Sequence, residues 1–304
     1  MVKVKEKSLS SFRPSSFDQY IGQVRAKKIL ERYISEMQKR EMVFPHILIY
    51  GKPGTGKTTL ARIISNQLDV AFYENMAQKN IQIGNFLRDL NRTNGGVVFF
   101  DEVHGFSRES VEQLHAVMED FKYGNTDIPR FTLIGATTEI GEILRTRKPF
   151  YDRFKIIIEL EDYNIPDLIT IAKQYREKLF PEDQLDESIY KIIALNCRAT
   201  PRHLIRLLES TVYFGGDIRE VFYIFNILKN GYTTKDYKLL ELLNREERCI
   251  GLQEISICLD MPKETYQYEI EPFILKNGMI SRTSRGRKIT DMGKLLLKEL
   301  EVLI

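Results

Sequence analysis

Cysteine is scarce. The 304-residue chain has three, Cys197, Cys249 and Cys258, and no two of them form a C-x-x-C pair. An odd count without such spacing argues against a disulfide framework and against a zinc site. Buried thiols in a reducing compartment are the expectation. Long apolar runs are also missing. No window reaches the ~18 apolar residues that a membrane span needs. The opening stretch "MVKVKEKSLSSFRPSS" lacks the apolar core of a signal peptide. A soluble, cytoplasmic protein is therefore expected. Neither sign of charge dominates, with a net charge of +3, so any basic surface must be local. Repeats and low-complexity tracts are absent too.

What is present starts with length. A chain of this size suggests two or three domains. Val24, Ile29, Leu30, Tyr33, Ile34 and Met37 recur at helical spacing, and Pro45 ends that run. "HILIY" then reads as a short buried strand, "GKPGTGKTT" as a glycine loop and "TTLARIISNQL" as a helix. Strand, glycine loop and helix form the context that a phosphate-binding loop requires. Two further apolar runs follow, "GGVVFFDEVH" and "RFTLIGATT". Continuous rather than alternating runs indicate parallel strands buried on both faces. The expected fold class is α/β, with motifs converging at the carboxyl ends of the strands.

Gly51, Gly56, Lys57 and Thr58 fit the P-loop form G-x-x-x-x-G-K-[ST]. Gly51, Gly54, Thr55 and Gly56 would wrap backbone N–H groups around ATP or ADP phosphates, with Pro53 in the same turn and Thr59 beside them. Lys57 would reach the β- and γ-phosphates, and Thr58 would bind Mg²⁺. Asp101 and Glu102 end the second run. Asp101 is the expected second Mg²⁺ residue, and Glu102 the group that polarises the attacking water. A plain helix cap is the alternative for this pair. Thr137 and Thr138 end the third run; one hydroxyl would orient the water or sense the γ-phosphate, and a turn-forming pair is the alternative. Arg153 in "YDRFK" reads as an arginine finger for a neighbouring site, and Arg202 in "ATPR" as a nucleotide contact. A solvated surface charge is the bland reading of either arginine.

Strand signals fade after about residue 162. Residues 161–230 read as a small helical domain after an ATPase domain of residues 1–160, and residues 231–304 as three helices, a hairpin and a last helix. That order is a winged-helix pattern. Lys276, Arg282, Arg285, Arg287 and Lys288 concentrate positive charge on the hairpin without an intervening acid. Arg282, Arg285 and Arg287 are the candidate phosphate contacts to duplex DNA. A solvated charged turn is the alternative.

The order "FDQYIGQ", "GKPGTGKTTLA", "FFDEVH", "LIGATT", "DRF", "ATPR" resembles the AAA+ ATPases. "MEDF" before "FTLIGATT", and "EPFILKNGMISRTSRGRKIT", are similar to signatures of the RuvB family, bacterial motors of Holliday junction branch migration. The resemblance covers nearly the whole chain. It implies Walker A roles for Lys57 and Thr58, and Walker B roles for Asp101 and Glu102. It also implies sensor 1 at the GATT threonines, sensor 2 at Arg202 and a trans-acting finger at Arg153. Residues 1–22, with Arg13, Tyr20 and Ile21, would lie against the adenine. It further implies a homo-hexameric ring around the duplex arms of a four-way junction, with RuvA as partner, in recombination and DNA repair. Three features depart from the family. The connection from Phe121 to Phe131, "KYGNTDIPR" between them, is too short for the family's RuvA-docking hairpin. Tyr151 stands where an arginine is usual, and Lys52 where proline is usual. Two other readings compete: a clamp-loader-like ATPase, which would end in a helical collar, and an ATP-switched initiator that binds DNA without translocating.

Overall fold

The computed structural model describes residues 13–79, 83–246 and 248–303. Its chain forms two compact units. One runs to Ile171 and takes in Thr200–Arg202; the other takes Ala172–Ala199 and continues from His203. Of residues 161–230, expected as a small helical domain, those up to Ile171 and Thr200–Arg202 fall in the first unit and the rest in the second.

The first unit is built on β1 (Ile47–Gly51), β2 (Phe72–Met76), β3 (Gly96–Asp101), β6 (Phe131–Thr137) and β7 (Ile156–Leu160), with short β4 (Lys122–Tyr123) and β5 (Thr126–Asp127) outside the sheet. The sheet order is β2-β3-β6-β1-β7, and every pairing in it is parallel. Successive side chains on a strand point to opposite faces, which splits the core into two layers. Ile47, Ile49, Val97, Phe99 and Ile134 pack with Leu30, Ile34, Leu60 and Ile64, from the helices Val24–Lys39 and Lys57–Leu68. Leu48, Val98, Phe100 and Leu133 face the other way, onto Leu90, Leu114, Val117 and Phe150. Burial on both faces explains why the three predicted runs carry no alternation. The outer strands β2 and β7 were not expected from the sequence. β2 reads "FYENM", too polar for a buried strand, and it lies at a sheet edge.

Strand order also positions the chemistry. β6 lies between β1 and β3, so Gly51, Thr137 and Asp101 end three adjacent parallel strands. Ligand sites of open α/β sheets form at such carboxyl ends.

The second unit holds the helices Glu187–Asn196 and Ile218–Ile224, then a short pair, β8 (Ile227–Lys229) and β9 (Tyr232–Thr233). The helices Thr234–Glu246 and Leu252–Cys258 follow, and a helical run over residues 263–276 includes a π-helical turn at Tyr266–Ile270. The wing is β10 (Ile280–Thr283) paired antiparallel with β11 (Gly286–Ile289), and Asp291–Glu301 closes the fold. Leu239, Leu243, Ile255, Ile274, Ile280 and Leu296 share one core here. Among the described residues no helix is long and apolar enough to cross a membrane. The cysteines depart from the expectation of buried thiols: Cys197 is buried, Cys249 half-buried and Cys258 exposed.

Candidate functional site

The loop after β1 is shaped by residues that cannot carry a side chain. Gly54 has φ +80°, and a Cβ there would meet Arg202 Cβ at 2.6 Å. Gly56 has φ +100°, and a Cβ would meet the Tyr20 hydroxyl at 2.8 Å. Glycine alone tolerates both the dihedral and the approach. Gly56 caps the helix Lys57–Leu68 without a side-chain hydrogen bond, so the first N–H groups of the helix stay available to an anion. Thr55 Oγ1 donates to the Lys52 carbonyl at 2.9 Å and tightens the turn. Lys57 is buried and donates Nζ to the carbonyls of Gly51 and Lys52 at 2.9 and 3.1 Å. Burial pulls its pKa down, and Glu102 and Asp101 pull it back up. Pro53 is exposed, while Thr58 and Thr59 are half-buried at the start of the helix. This cradle fits a nucleotide's phosphates: curled backbone, a helix N-terminus and a buried ammonium.

Asp101 ends β3, and Glu102 follows in a left-handed conformation with φ +53°. Burial raises the Asp101 carboxyl above the ordinary carboxylate range; the Glu102 charge adds to this and Lys57 opposes it. Asp101 Oδ1 accepts the Glu102 N–H at 3.0 Å. Glu102 Oε2 in turn accepts from Thr138, from its N–H at 3.1 Å and its hydroxyl at 3.0 Å. Thr137, fully buried, does something else: its Oγ1 accepts the Glu139 N–H at 3.0 Å and lies 3.1 Å from His104 Nδ1. His104 Nδ1 is also 3.2 Å from Glu102 Oε2. Arg147 clamps the same turn, donating to the carbonyls of His104 and Phe106 at 2.6 Å each. Sequence reasoning missed His104 and Arg147. The histidine stood in the quoted "DEVH", but nothing local marks Arg147, more than 40 residues away.

The N-terminal segment supports the loop from beneath. Tyr20, buried, has its hydroxyl 3.4 Å from the carbonyls of both Thr55 and Gly56, and Tyr163 donates to Thr55 at 3.1 Å. Ile21 is half-buried and Arg13 exposed; residues 1–12 of the expected adenine segment lie outside the described residues. Arg202 lies over Gly54, as the close approach above requires, so the structure joins it to the loop. Arg153 is held elsewhere: it pairs with Glu119 at 3.0 Å and donates to the Pro149 carbonyl at 2.8 Å, with Nε buried and unpartnered.

The short connection after Phe121 forms a hairpin of two residues per strand: Lys122 pairs with Asp127 and Tyr123 with Thr126, around a turn with Gly124 at φ +60°. The expectation for Arg287 needs correction. That arginine is not an exposed wing residue but is 7% exposed. It donates Nε and NH2 to the two carboxylate oxygens of Glu271 at 2.6 and 3.0 Å, and its guanidinium lies 5.7 Å from the Tyr266 ring centroid. A guanidinium with a bidentate carboxylate partner inside the fold is spoken for. Its backbone also pairs with Ile250, in both directions, at 2.8 and 2.9 Å. Arg282, Arg285 and Lys288 remain exposed on the wing.

Strand order, loop and acidic strand end together place the chain among the P-loop ATPases of the AAA+ class, with a winged-helix part attached. Comparison with known proteins narrows this. The model described as "Holliday junction DNA helicase RuvB P-loop domain" matches residues 12–160, and "RuvB C-terminal winged helix domain" matches residues 229–298. The Holliday junction branch migration complex subunit RuvB of Campylobacter hominis is 36% identical, covering 92% of this chain and 88% of that protein. Its counterpart in Ureaplasma parvum is 34% identical over 94% of this chain and 96% of its own length. The solved structure of the Thermotoga maritima RuvB branch migration motor superposes with a TM-score of 0.81 at 31% identity, covering 94% of this chain and 98% of that one. The chain belongs to the RuvB family.

Proposed function

We propose that this chain is an ATP-driven motor that moves Holliday junctions by pulling duplex DNA through a homo-hexameric ring. The observation that carries the reading is the pairing, in one chain, of a hydrolytic site with a wing whose exposed arginines suit sequence-independent phosphate contact. A clamp-loader-like role fits less well, because the chain carries a winged-helix part where a helical collar would be expected.

At the site, Lys57 and the N–H groups of the loop hold the phosphates. Asp101, at the end of β3, and Thr58, at the start of the helix after the loop, are the residues that would hold Mg²⁺. A cation held there would supply charge compensation for the phosphate oxygens. Glu102 orients and polarises the attacking water, and Thr138 fixes the rotamer of Glu102. Tyr20, Ile21 and Arg13 form the adenine side, and Arg202 reads the bound nucleotide from above Gly54. Arg153 leaves Glu119 and completes the site of the next protomer. Residues 161–230 act as the lid and residues 231–304 as the DNA-binding part. Arg282 and Arg285 grip the duplex. We place this work in the bacterial cytoplasm, in recombination and DNA repair. RuvA is the expected loading partner, docking by a contact other than a long hairpin.

The test is strand exchange on a synthetic four-way junction, with ATP and Mg²⁺, with and without RuvA. ATP-dependent conversion to duplex products that disappears in Lys57→Ala supports the motor. Duplex binding and ATP turnover without any exchange, in either arm, would favour the initiator reading.

A further inference from the structure

Arg198 sits in the turn after the helix Glu187–Asn196 and is tied to the winged-helix part by its whole side chain. Its Nε donates to the Gly231 carbonyl at 2.9 Å, NH1 to the Glu269 carbonyl at 3.0 Å and NH2 to Asp236 Oδ2 at 2.5 Å. The guanidinium lies 4.5 Å from the centroid of the Phe273 ring. Asp236 is fully buried; its Oδ2 also accepts the N–H and hydroxyl of Thr233, and its Oδ1 has no partner. Asn196, the last residue of that helix, accepts the Gly231 N–H on Oδ1 at 2.9 Å. The rigid fork of a guanidinium can meet several fixed acceptors at once, which a lysine cannot.

The turn itself is held out of the ordinary backbone regions. Arg198 and Ala199 have φ +52° and +58°. Consecutive left-handed non-glycine residues persist only where the surroundings over-determine them, and such strain gathers in switch segments. Four residues beyond Arg198 comes Arg202, which lies over Gly54 of the phosphate loop. The segment thus carries a nucleotide-reading arginine at one end and an anchor in the DNA-binding part at the other.

We propose that Arg198 is a positioning residue. It rivets the helical segment to the winged-helix part, so that a change at Arg202, set by the nucleotide, reaches the wing instead of being absorbed by a loose joint. This rests on the ATP-driven DNA motor reading above. The partners of Arg198 are Gly231, Asp236, Glu269 and Phe273, none of them in the phosphate loop or the wing strands, so its loss should leave both binding sites intact and remove their dependence on each other.

The experiment measures duplex affinity of the full chain with ADP and with a non-hydrolysed ATP analogue, beside basal ATP turnover. The variants are Arg198→Lys and the double variant Arg198→Met/Asp236→Asn. The double variant leaves no buried charge unpaired. In the wild type the two affinities should differ by about fivefold or more, and in the double variant by less than about twofold, with Arg198→Lys between. Basal turnover and the salt dependence of duplex binding should stay at wild-type values. A full wild-type ratio in the double variant overturns the proposal. Loss of basal turnover also overturns it, because the role would then be in folding. A wild type that binds duplex equally in both nucleotide states overturns it as well. A wild type that neither hydrolyses ATP nor binds duplex instead removes the functional reading, and the proposal with it.

Discussion

Thr138 gives both of its donors to a single carboxylate oxygen of Glu102, the N–H at 3.1 Å and the hydroxyl at 3.0 Å. Thr137 spends its hydroxyl on Glu139 and His104 instead. The two neighbours therefore have different jobs, and only Thr138 acts directly on Glu102. Thr138→Ala keeps the backbone contact and loses the hydroxyl. Turnover should fall about tenfold, the scale of one hydrogen bond to a charged group, with nucleotide affinity held. Glu102→Gln should lower turnover by about a hundredfold or more, as loss of a general base does. Steady-state ATPase assays beside nucleotide binding distinguish these outcomes from a general loss of the site.

Asp101 bears on pH. Burial and the Glu102 charge raise its folded pKa, so the folded state binds that proton more tightly than the unfolded state. The sign follows by linkage: the proton's stabilising contribution is complete below the unfolded carboxylate pKa and is lost as pH rises through the raised value. At neutral pH the ionised carboxylate works against the fold. Asp101→Asn should therefore raise the melting temperature of the nucleotide-free protein at pH 7 while abolishing ATP turnover. The gain should shrink as pH falls through the raised Asp101 pKa. A melting series in pH, without nucleotide or Mg²⁺, checks both parts.

On the wing, the exposed and buried arginines should behave as opposites. Arg285→Ala should flatten the dependence of log K for duplex on log salt by about 0.9 and leave stability alone. Arg287→Met strands the Glu271 carboxylate, whose side chain is 4% exposed. That should destabilise the fold by about 3–5 kcal/mol. Arg287→Met/Glu271→Leu should recover most of this loss and keep the wild-type salt slope. A reduced slope in the double variant would return Arg287 to the DNA.

Gly286 sits at φ +132°, where a Cβ would meet the Ile250 carbonyl oxygen at 2.4 Å. Backbone cannot retreat as a side-chain end can. Gly286→Ala should therefore detach β11 from residue 250 and lower duplex affinity, while basal ATP turnover stays unchanged. Fluorescence anisotropy on a labelled duplex is the measurement.

Arg153 can be tested in mixtures. Its pair with Glu119 is partly exposed, 23% and 56% by side chain, so leaving it costs under about 1 kcal/mol. If Arg153 completes a neighbour's site, Arg153→Ala and Glu102→Gln chains should each be slow alone and recover turnover when mixed. The recovered rate should pass through a maximum near equal proportions, which titrating one variant against the other would reveal.

The sequence by itself determined what is written in short runs. The "GKPGTGKTT" loop, the acids after "VVFF" and the order of the later motifs suffice to specify an α/β nucleotide site with a winged helix behind it. Those runs are local, and backbone geometry needs only their glycines, apolar stretches and spacing. β2 escaped notice because an edge strand need not be apolar. Only the tertiary structure decided which side chains are free to act. Thr138 differs from Thr137 through Glu102, 36 residues away, and Arg287 differs from Arg285 through Glu271, 16 residues away. Arg198 finds Asp236 across 38 residues. Adjacent residues of the same type look alike in a sequence; burial and the partner that folding brings to each make them different.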